Sequence, residues 1–168
     1  RDIDQWDAIT KPSMIRSIGG DILSAESPIN EEYFIRLYSK CIGIQRLTEK
    51  NRNQLAYALQ KVFSPVSRYG FTTYWKGEPY ELEHYRVSDN PEDNRPIECI
   101  PLEELLLVCT EIVEKSISIP KDLIVSAMAK ELGYRRAGDV IKGILEDVVT
   151  AAVKENIIAE SDGAYKLA

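Results

Sequence analysis

The chain has 168 residues, a net charge of −6, and 44% hydrophobic and 29% charged residues. This composition is ordinary for a globular protein and excludes a largely disordered chain. No apolar run is long enough to cross a bilayer, so we expect no membrane partner. The N-terminus does not read as a signal peptide. Because the chain starts at Arg1 rather than Met, we expect it to be a segment of a longer protein.

The three cysteines, Cys41, Cys99 and Cys109, are odd in number and widely spaced. They indicate neither a disulfide framework nor a zinc site, and they favour reduced thiols in a cytoplasm. Cys41 and Cys109 lie on apolar helical stripes and are expected in the core. Cys99 lies in the linker, which leaves an exposed position open to it, and no neighbouring base marks it as a nucleophile.

Charge is unevenly distributed along the chain. Residues 36–76 contain eight basic residues and one acid, a net of +7, whereas residues 81–114 are rich in acids and contain only two basic residues, Arg86 and Arg95. The overall negative charge argues against indiscriminate nucleic-acid binding. The local basic stretch permits a directed contact with an anionic partner.

Three amphipathic helices are predicted in the first half. They carry apolar residues three or four apart, which is typical of helices with one buried face. Asn30 is a suitable N-cap for the second helix, and Gly43 is a suitable left-handed C-cap for it. The apolar residues are Ile15, Ile18, Ile22 and Leu23 in the first helix, Tyr33, Phe34 and Ile42 in the second, and Leu55, Ala58, Leu59 and Phe63 in the third.

Residues 66–75 are rich in β-formers around Gly70 and predict a hairpin. The polar, turn-rich stretch 87–96 reads as a connection. The second half then repeats the first at a fixed offset of 90 residues, without a gap across three helices. Gly133 falls on Gly43, and residues 157–167 predict a second hairpin around a Ser-Asp-Gly turn.

Three helices followed by a hairpin is the layout of a winged helix. The sequence therefore predicts a mainly α (α+β) fold, a tandem pair of winged-helix-like units with three helices and a short β-hairpin each. The expected boundaries are residues 1–86 for the first unit, 87–98 for a linker and 99–168 for the second unit.

Several segments carry a family resemblance: Arg95–Glu104, Lys130–Arg136, Glu26–Glu32 and Gly43–Arg46. Together they resemble an uncharacterised domain at the C-terminal end of very large prokaryotic proteins. Those proteins join a superfamily 1 helicase-type ATPase to a Vsr-like endonuclease domain. The resemblance covers roughly residues 12–168 and brings no established catalytic residues. It implies a non-catalytic accessory domain whose partners include the parent protein's other domains.

The first copy departs from the family pattern after its second helix. The family continues with Arg or Lys, a small residue and Gly, as in Arg136-Ala-Gly138, whereas the first copy reads Arg46-Leu-Thr48.

No catalytic constellation is visible in the sequence. His84 is the sole histidine, so a histidine-rich metal site is not possible within the chain. Nothing in the sequence marks the partner groups that a catalytic histidine needs, and a structural or solvent-exposed role is expected. Gly19-Gly20 is followed by Asp and forms no phosphate-binding loop. We predict a chain that is not an enzyme, with no metal, cofactor or small-molecule substrate.

The third helix of the first copy is the most informative segment. Its polar face carries side chains that reach phosphates or base edges, as a DNA-contacting helix requires. The equivalent second-copy residues, Val140, Gly143, Ile144, Asp147 and Ala151, predict a small, apolar and acidic surface. The candidate nucleic-acid-binding residues are Arg46, Lys50, Arg52, Asn53, Gln54, Tyr57, Lys61, Arg68 and Lys76.

Two hypotheses follow from these patterns. In the first, the chain contacts DNA through its first unit, as an accessory to a helicase or nuclease. In the second, it is a protein-interaction or scaffolding module that uses the acidic region 81–114 and the second copy's third helix. The ordinary alternative to a DNA-binding face is a solvated helix surface.

Overall fold

A computed structural model describes residues 4–168, apart from the side chain of residue 91. The described chain is mainly helical with two small three-stranded antiparallel sheets, an α+β architecture. It divides into two compact units, the first ending at Tyr80 and the second spanning Glu81–Ala168. The division falls at residue 80 rather than at the expected boundary of 86, and the whole of the expected linker 87–98 belongs to the second unit.

Within residues 4–80, the first unit contains four helices and three strands. Its second helix is continuous but widens into a π-helical stretch at Ile15–Gly19. The elements are α1 (Gln5–Thr10), α2 (Pro12–Met14, Ile15–Gly19 and Gly20–Glu26), β1 (Ile29–Asn30), α3 (Glu31–Cys41), α4 (Glu49–Phe63), β2 (Val66–Arg68) and β3 (Phe71–Tyr74).

The second unit repeats this order, and its three long helices follow those of the first at the predicted offset of 90. Two short 3-10 turns, Pro91–Asp93 and Ile97–Cys99, precede them. The elements are α5 (Leu102–Ser116), β4 (Ile119–Pro120), α6 (Lys121–Glu131), α7 (Asp139–Lys154), β5 (Ile158–Ser161) and β6 (Ala164–Leu167).

The predicted helix caps are confirmed. The Asn30 side chain accepts a hydrogen bond from the Tyr33 N–H at 3.2 Å, at the start of α3. Gly43 and Gly133 adopt φ angles of 77° and 84°, a region that glycine enters without a steric penalty. These two glycines end α3 and α6, and they turn the chain towards the next helix in each unit.

The predicted hairpins are also confirmed, with Tyr69-Gly70 and Asp162-Gly163 in the left-handed conformation that two-residue turns require. Sequence analysis did not predict the third strand of each sheet. Ile29 of β1 pairs with Tyr74. In the first unit, β1 stops two residue pairs short of the hairpin turn, so the end of that hairpin extends beyond the third strand. In the second unit, β4 pairs with β6 as far as the turn, so the second hairpin has no such extension.

An aromatic cluster in the core of the first unit lies where α3, α4 and β3 meet. The Phe34 ring lies 5.1 Å from the Tyr74 ring in an edge-on arrangement and 5.8 Å from the Phe63 ring, measured between centroids. The Tyr74 hydroxyl donates to Glu31 at 2.8 Å. Burial, with this hydrogen bond, raises the pKa of Tyr74 well above its ordinary value, so the hydroxyl remains a donor.

In each unit a short helical turn precedes the first long helix and packs against the third. α1 contacts α4 in the first unit, and the turn at Ile97–Cys99 contacts α7 in the second. The Tyr38 hydroxyl fixes α1 by donating to the Ala8 carbonyl. Sequence analysis predicted neither turn as part of the repeated unit.

One of the two core predictions, that for Cys41, is wrong. Cys99 is buried because its turn packs against α7, and Cys41 is exposed because it is the last residue of α3. Cys109 is buried as predicted, and burial raises the pKa of its thiol to about 12. All three cysteines are free thiols.

Within the second unit, the buried carboxylate of Glu104 in α5 binds two arginines of the segment that precedes this helix. The Glu104 side chain is 3% exposed and lies 2.9 Å from guanidinium nitrogens of both Arg86 and Arg95. Burial alone would raise the pKa of Glu104, but hydrogen bonds from the two arginines outweigh burial and hold it below its ordinary value. Tyr134 adds a hydrogen bond from its hydroxyl to the Arg95 carbonyl at 2.6 Å.

We expect the Glu104→Gln variant to lose about 3–5 kcal/mol of unfolding free energy, because two guanidiniums lose their buried partner. Glu104 has a lowered folded pKa, so its contribution should be present above pH 4.5 and lost as the pH falls towards that folded value. Urea denaturation at several pH values measures both effects. Glu114→Gln, an exposed change on the same helix, is the control and should stay within about 0.5 kcal/mol.

Adjacent glycines in α2 offer a matched test of packing. A Cβ added at Gly19 would lie 2.7 Å from the Phe63 ring, whereas one added at Gly20 would meet nothing within 4 Å. We expect Gly20→Ala to be neutral or stabilising by up to about 1 kcal/mol and Gly19→Ala to be at least about 1 kcal/mol less stable than Gly20→Ala. Equal midpoints in thermal denaturation would contradict this packing.

Candidate nucleic-acid interface

Helix α4 presents four of the predicted residues on one exposed face. Lys50, Asn53, Tyr57 and Lys61 are three or four residues apart and all are exposed. We call them the polar stripe. The opposite face of α4 buries Leu55 and Leu59 completely. The helix is therefore fixed to the core on one side and open to a partner along the other.

Within the polar stripe, Tyr57 and Lys61 form a pair. The Lys61 ammonium lies 4.9 Å from the centroid of the Tyr57 ring, which is cation–π distance. A hydrogen bond to the Tyr57 side chain raises the pKa of Lys61, so the ammonium is fully charged at neutral pH. The pair offers a cation beside an exposed aromatic ring, two groups that contact phosphates and bases.

Arg52 lies outside the polar stripe. Its guanidinium forms an ion pair with Glu32 of α3 at 2.5 Å, and Arg36 reaches the same carboxylate at 3.0 Å. Arg52 therefore joins α4 to α3. Gln54 is half-buried beside the stripe, and Arg46 is exposed in the turn between α3 and α4.

The structure does not bring the two hairpin cations together. Arg68 ends β2 next to the turn, whereas Lys76 follows β3 at the other end of the hairpin. The Lys76 backbone N–H donates to the Ser27 hydroxyl at 2.7 Å. Arg68 alone stands at the projecting end of the hairpin.

A pocket that was not predicted from the sequence lies beside the turn between α3 and α4. Its volume is about 880 Å³, and its lining includes Arg36, Lys40, Arg46 and Arg52. Arg36 and Lys40 belong to the basic stretch but were not assigned to a site. Their spacing of four residues places both on the same side of α3, a signal that the sequence of α3 alone contains.

The second unit offers a different surface at the corresponding helix. Val140 is 67% exposed on α7, and Gly143 and Asp147 are also exposed, as predicted. The prediction for Ala151 was wrong, because this residue is completely buried. The turn at Ile97–Cys99 packs against α7, so this helix is not bare along its whole length.

No family model, curated protein or solved structure matches the chain. No helix in residues 4–168 is long and apolar enough to cross a membrane. Across the same residues, no group of three or more His, Cys, Asp or Glu side chains is placed to hold a metal ion. His84 is exposed.

A double-mutant cycle tests the separation of Arg52 from the polar stripe. We expect Arg52→Ala and Glu32→Gln to couple by about 0.2–1 kcal/mol, as surface ion pairs do. Lys50→Ala with Glu32→Gln should show no coupling, because Lys50 lies on the other face of α4. Equal coupling energies in urea denaturation would contradict this assignment of faces.

Proposed function

We propose that each unit is a winged helix. The order of the first unit after α1 is helix, strand, helix, helix and hairpin, and the early strand pairs with the second strand of the hairpin. The second unit has the same order and pairing. In such folds the third long helix enters the major groove and the hairpin, or wing, lies beside it.

We propose further that the chain is a non-catalytic accessory domain that contacts duplex DNA through the first unit. The observation that carries this proposal is the polar stripe on α4, the helix that would enter the groove. Lys50 and Lys61 would contact phosphates, whereas Asn53 and Tyr57 would reach the base edges. Arg68 would meet the backbone from the projecting wing.

The charge distribution supports the same assignment. The net of +7 over residues 36–76 is concentrated in the unit that carries the polar stripe. Two acids of this unit, Glu31 and Glu32, are engaged by Tyr74, Arg36 and Arg52 away from the stripe. A phosphate backbone approaching α4 would therefore meet a mainly positive surface.

We propose, on the resemblance noted in the sequence, that this contact belongs to a larger prokaryotic protein of helicase and nuclease type. The domain would then position DNA relative to the motor or the nuclease. The three free thiols fit a cytoplasmic setting for this role.

Salt-titrated binding of the chain to a fluorescent duplex tests the DNA contact. We expect Lys50→Glu combined with Lys61→Glu to weaken binding by more than about tenfold. The slope of log K against log salt should fall by about 2, because two phosphate contacts are lost.

The matched control reverses Lys142 and Lys154, two exposed lysines on α7, and should bind like the unmodified chain. If the unmodified chain binds no DNA at low salt, or if the two double variants bind equally, the proposal fails.

A second function is favoured by the apolar surface of the second unit. Val140 and Leu123 are 67% and 52% exposed, unlike the charged stripe of the first unit. We propose that this unit docks onto neighbouring domains of the parent protein or onto a partner. Its signature is a complex with the parent protein that survives the reversal of Lys50 and Lys61. A chain that stays monomeric and unbound beside the rest of the parent protein would contradict it.

A further inference from the structure

The pocket between α3 and α4, here called the joint pocket, has properties that the polar stripe lacks. It is concave, with about 880 Å³ of space, within the range of about 300–1,000 Å³ that small-ligand sites occupy. Ile35, Ile44 and Leu47 supply apolar lining, and Ile35 is 3% exposed. A flat contact with the outside of a duplex needs no such cavity.

Cations dominate the rim of the joint pocket. Four basic residues and one acid, Glu49, line it. Glu32 outside the pocket holds two of these arginines, so the local sum is four positive and two negative charges, a net of +2. Lys40 and Arg46 are exposed, and no ion pair engages them within residues 4–168. These two cations are available to an anionic ligand.

An apolar lining beside a cationic rim matches a nucleotide, which has a flat base and a charged phosphate. A duplex keeps its bases stacked inside, so only an unpaired nucleotide presents both parts at once. We infer that the joint pocket binds one unpaired nucleotide of a nucleic-acid strand, with its phosphate at Lys40 and Arg46 and its base against Ile44 and Leu47. This inference rests on the proposed contact with nucleic acid.

The second unit supplies an internal control for this inference. Lys130 and Arg136 occupy the positions of Lys40 and Arg46 at the offset of 90. There Tyr134 replaces Ile44, and its hydroxyl is bound to the Arg95 carbonyl. Asn94 donates to the Gly133 carbonyl at 3.1 Å, so the segment before α5 packs on this joint. In the second unit, the two equivalent cations therefore lie beside a turn that the segment before α5 covers.

The test compares a blunt duplex with the same duplex carrying a short single-stranded overhang. We expect the chain to bind the overhang substrate about tenfold more tightly, the order of gain from docking one base. Lys40→Glu with Arg46→Glu should abolish this preference. Affinity for the blunt duplex should fall by a smaller factor than affinity for the overhang substrate, because Arg46 is also one of the predicted DNA-contacting residues. Lys40→Gln with Arg46→Gln should reduce the preference by removing charge without adding repulsion.

The matched control is Lys130→Glu with Arg136→Glu, which should keep the full preference. Equal affinity of the unmodified chain for the two substrates would overturn the inference, as would an equal loss on both substrates in the Lys40 and Arg46 variants. Loss of blunt-duplex binding in the Lys50 and Lys61 variant tests the proposed function separately. The two failures are therefore distinguishable.

A competition experiment distinguishes a nucleotide within a strand from a free nucleotide as the ligand of the joint pocket. A free nucleoside monophosphate should displace the overhang only weakly, because it lacks the flanking duplex that the polar stripe holds. Displacement at concentrations as low as those of the overhang substrate would assign the joint pocket to a free nucleotide and overturn the assignment to a strand.

Discussion

The left-handed glycine that ends the second long helix of each unit constrains everything that follows it. At Gly43 the Ile44 N–H donates to the Ser39 carbonyl at 2.9 Å, and at Gly133 the Tyr134 N–H donates to the Ala129 carbonyl at 3.0 Å. This pair of matched joints satisfies helix-end carbonyls and sets the path into α4 and α7. The direction of α4 in turn decides which of its faces meets the core and which carries the polar stripe. The joint pocket lies against the same turn.

The repeat preserves these joints and changes what surrounds them. In the first unit the joint carries an open, cationic pocket, and its third helix presents lysines, an amide and a tyrosine. In the second unit the segment before α5 covers the joint, anchored by the buried Glu104 carboxylate and by Tyr134. Two cores built on the same helical positions can therefore carry different surfaces, because burial dictates which positions are apolar while exposed positions are free to diverge.

Features encoded within one turn of chain were predictable from sequence. The Asn30 cap, the Gly43 and Gly133 joints and the hairpin turns each depend on local conformational preferences. Features that depend on tertiary contact were missed. β1 is too short to show a periodicity, α1 is a six-residue helix that Tyr38 fixes through Ala8, and the burial of Cys99 depends on packing against α7. The polar stripe could be predicted from helical spacing alone. The Arg52–Glu32 ion pair and the joint pocket could not, because both depend on how α3 and α4 are placed relative to each other.

We propose that one fold is used twice and that only the first unit contacts nucleic acid. Lysine acetylation of the full chain, with and without a saturating duplex and read out by mass spectrometry, tests both parts of this proposal. DNA should protect Lys50 and Lys61, while Lys142 and Lys154 should be modified equally in both samples. Protection of the α7 lysines, or of none of the four, would contradict it.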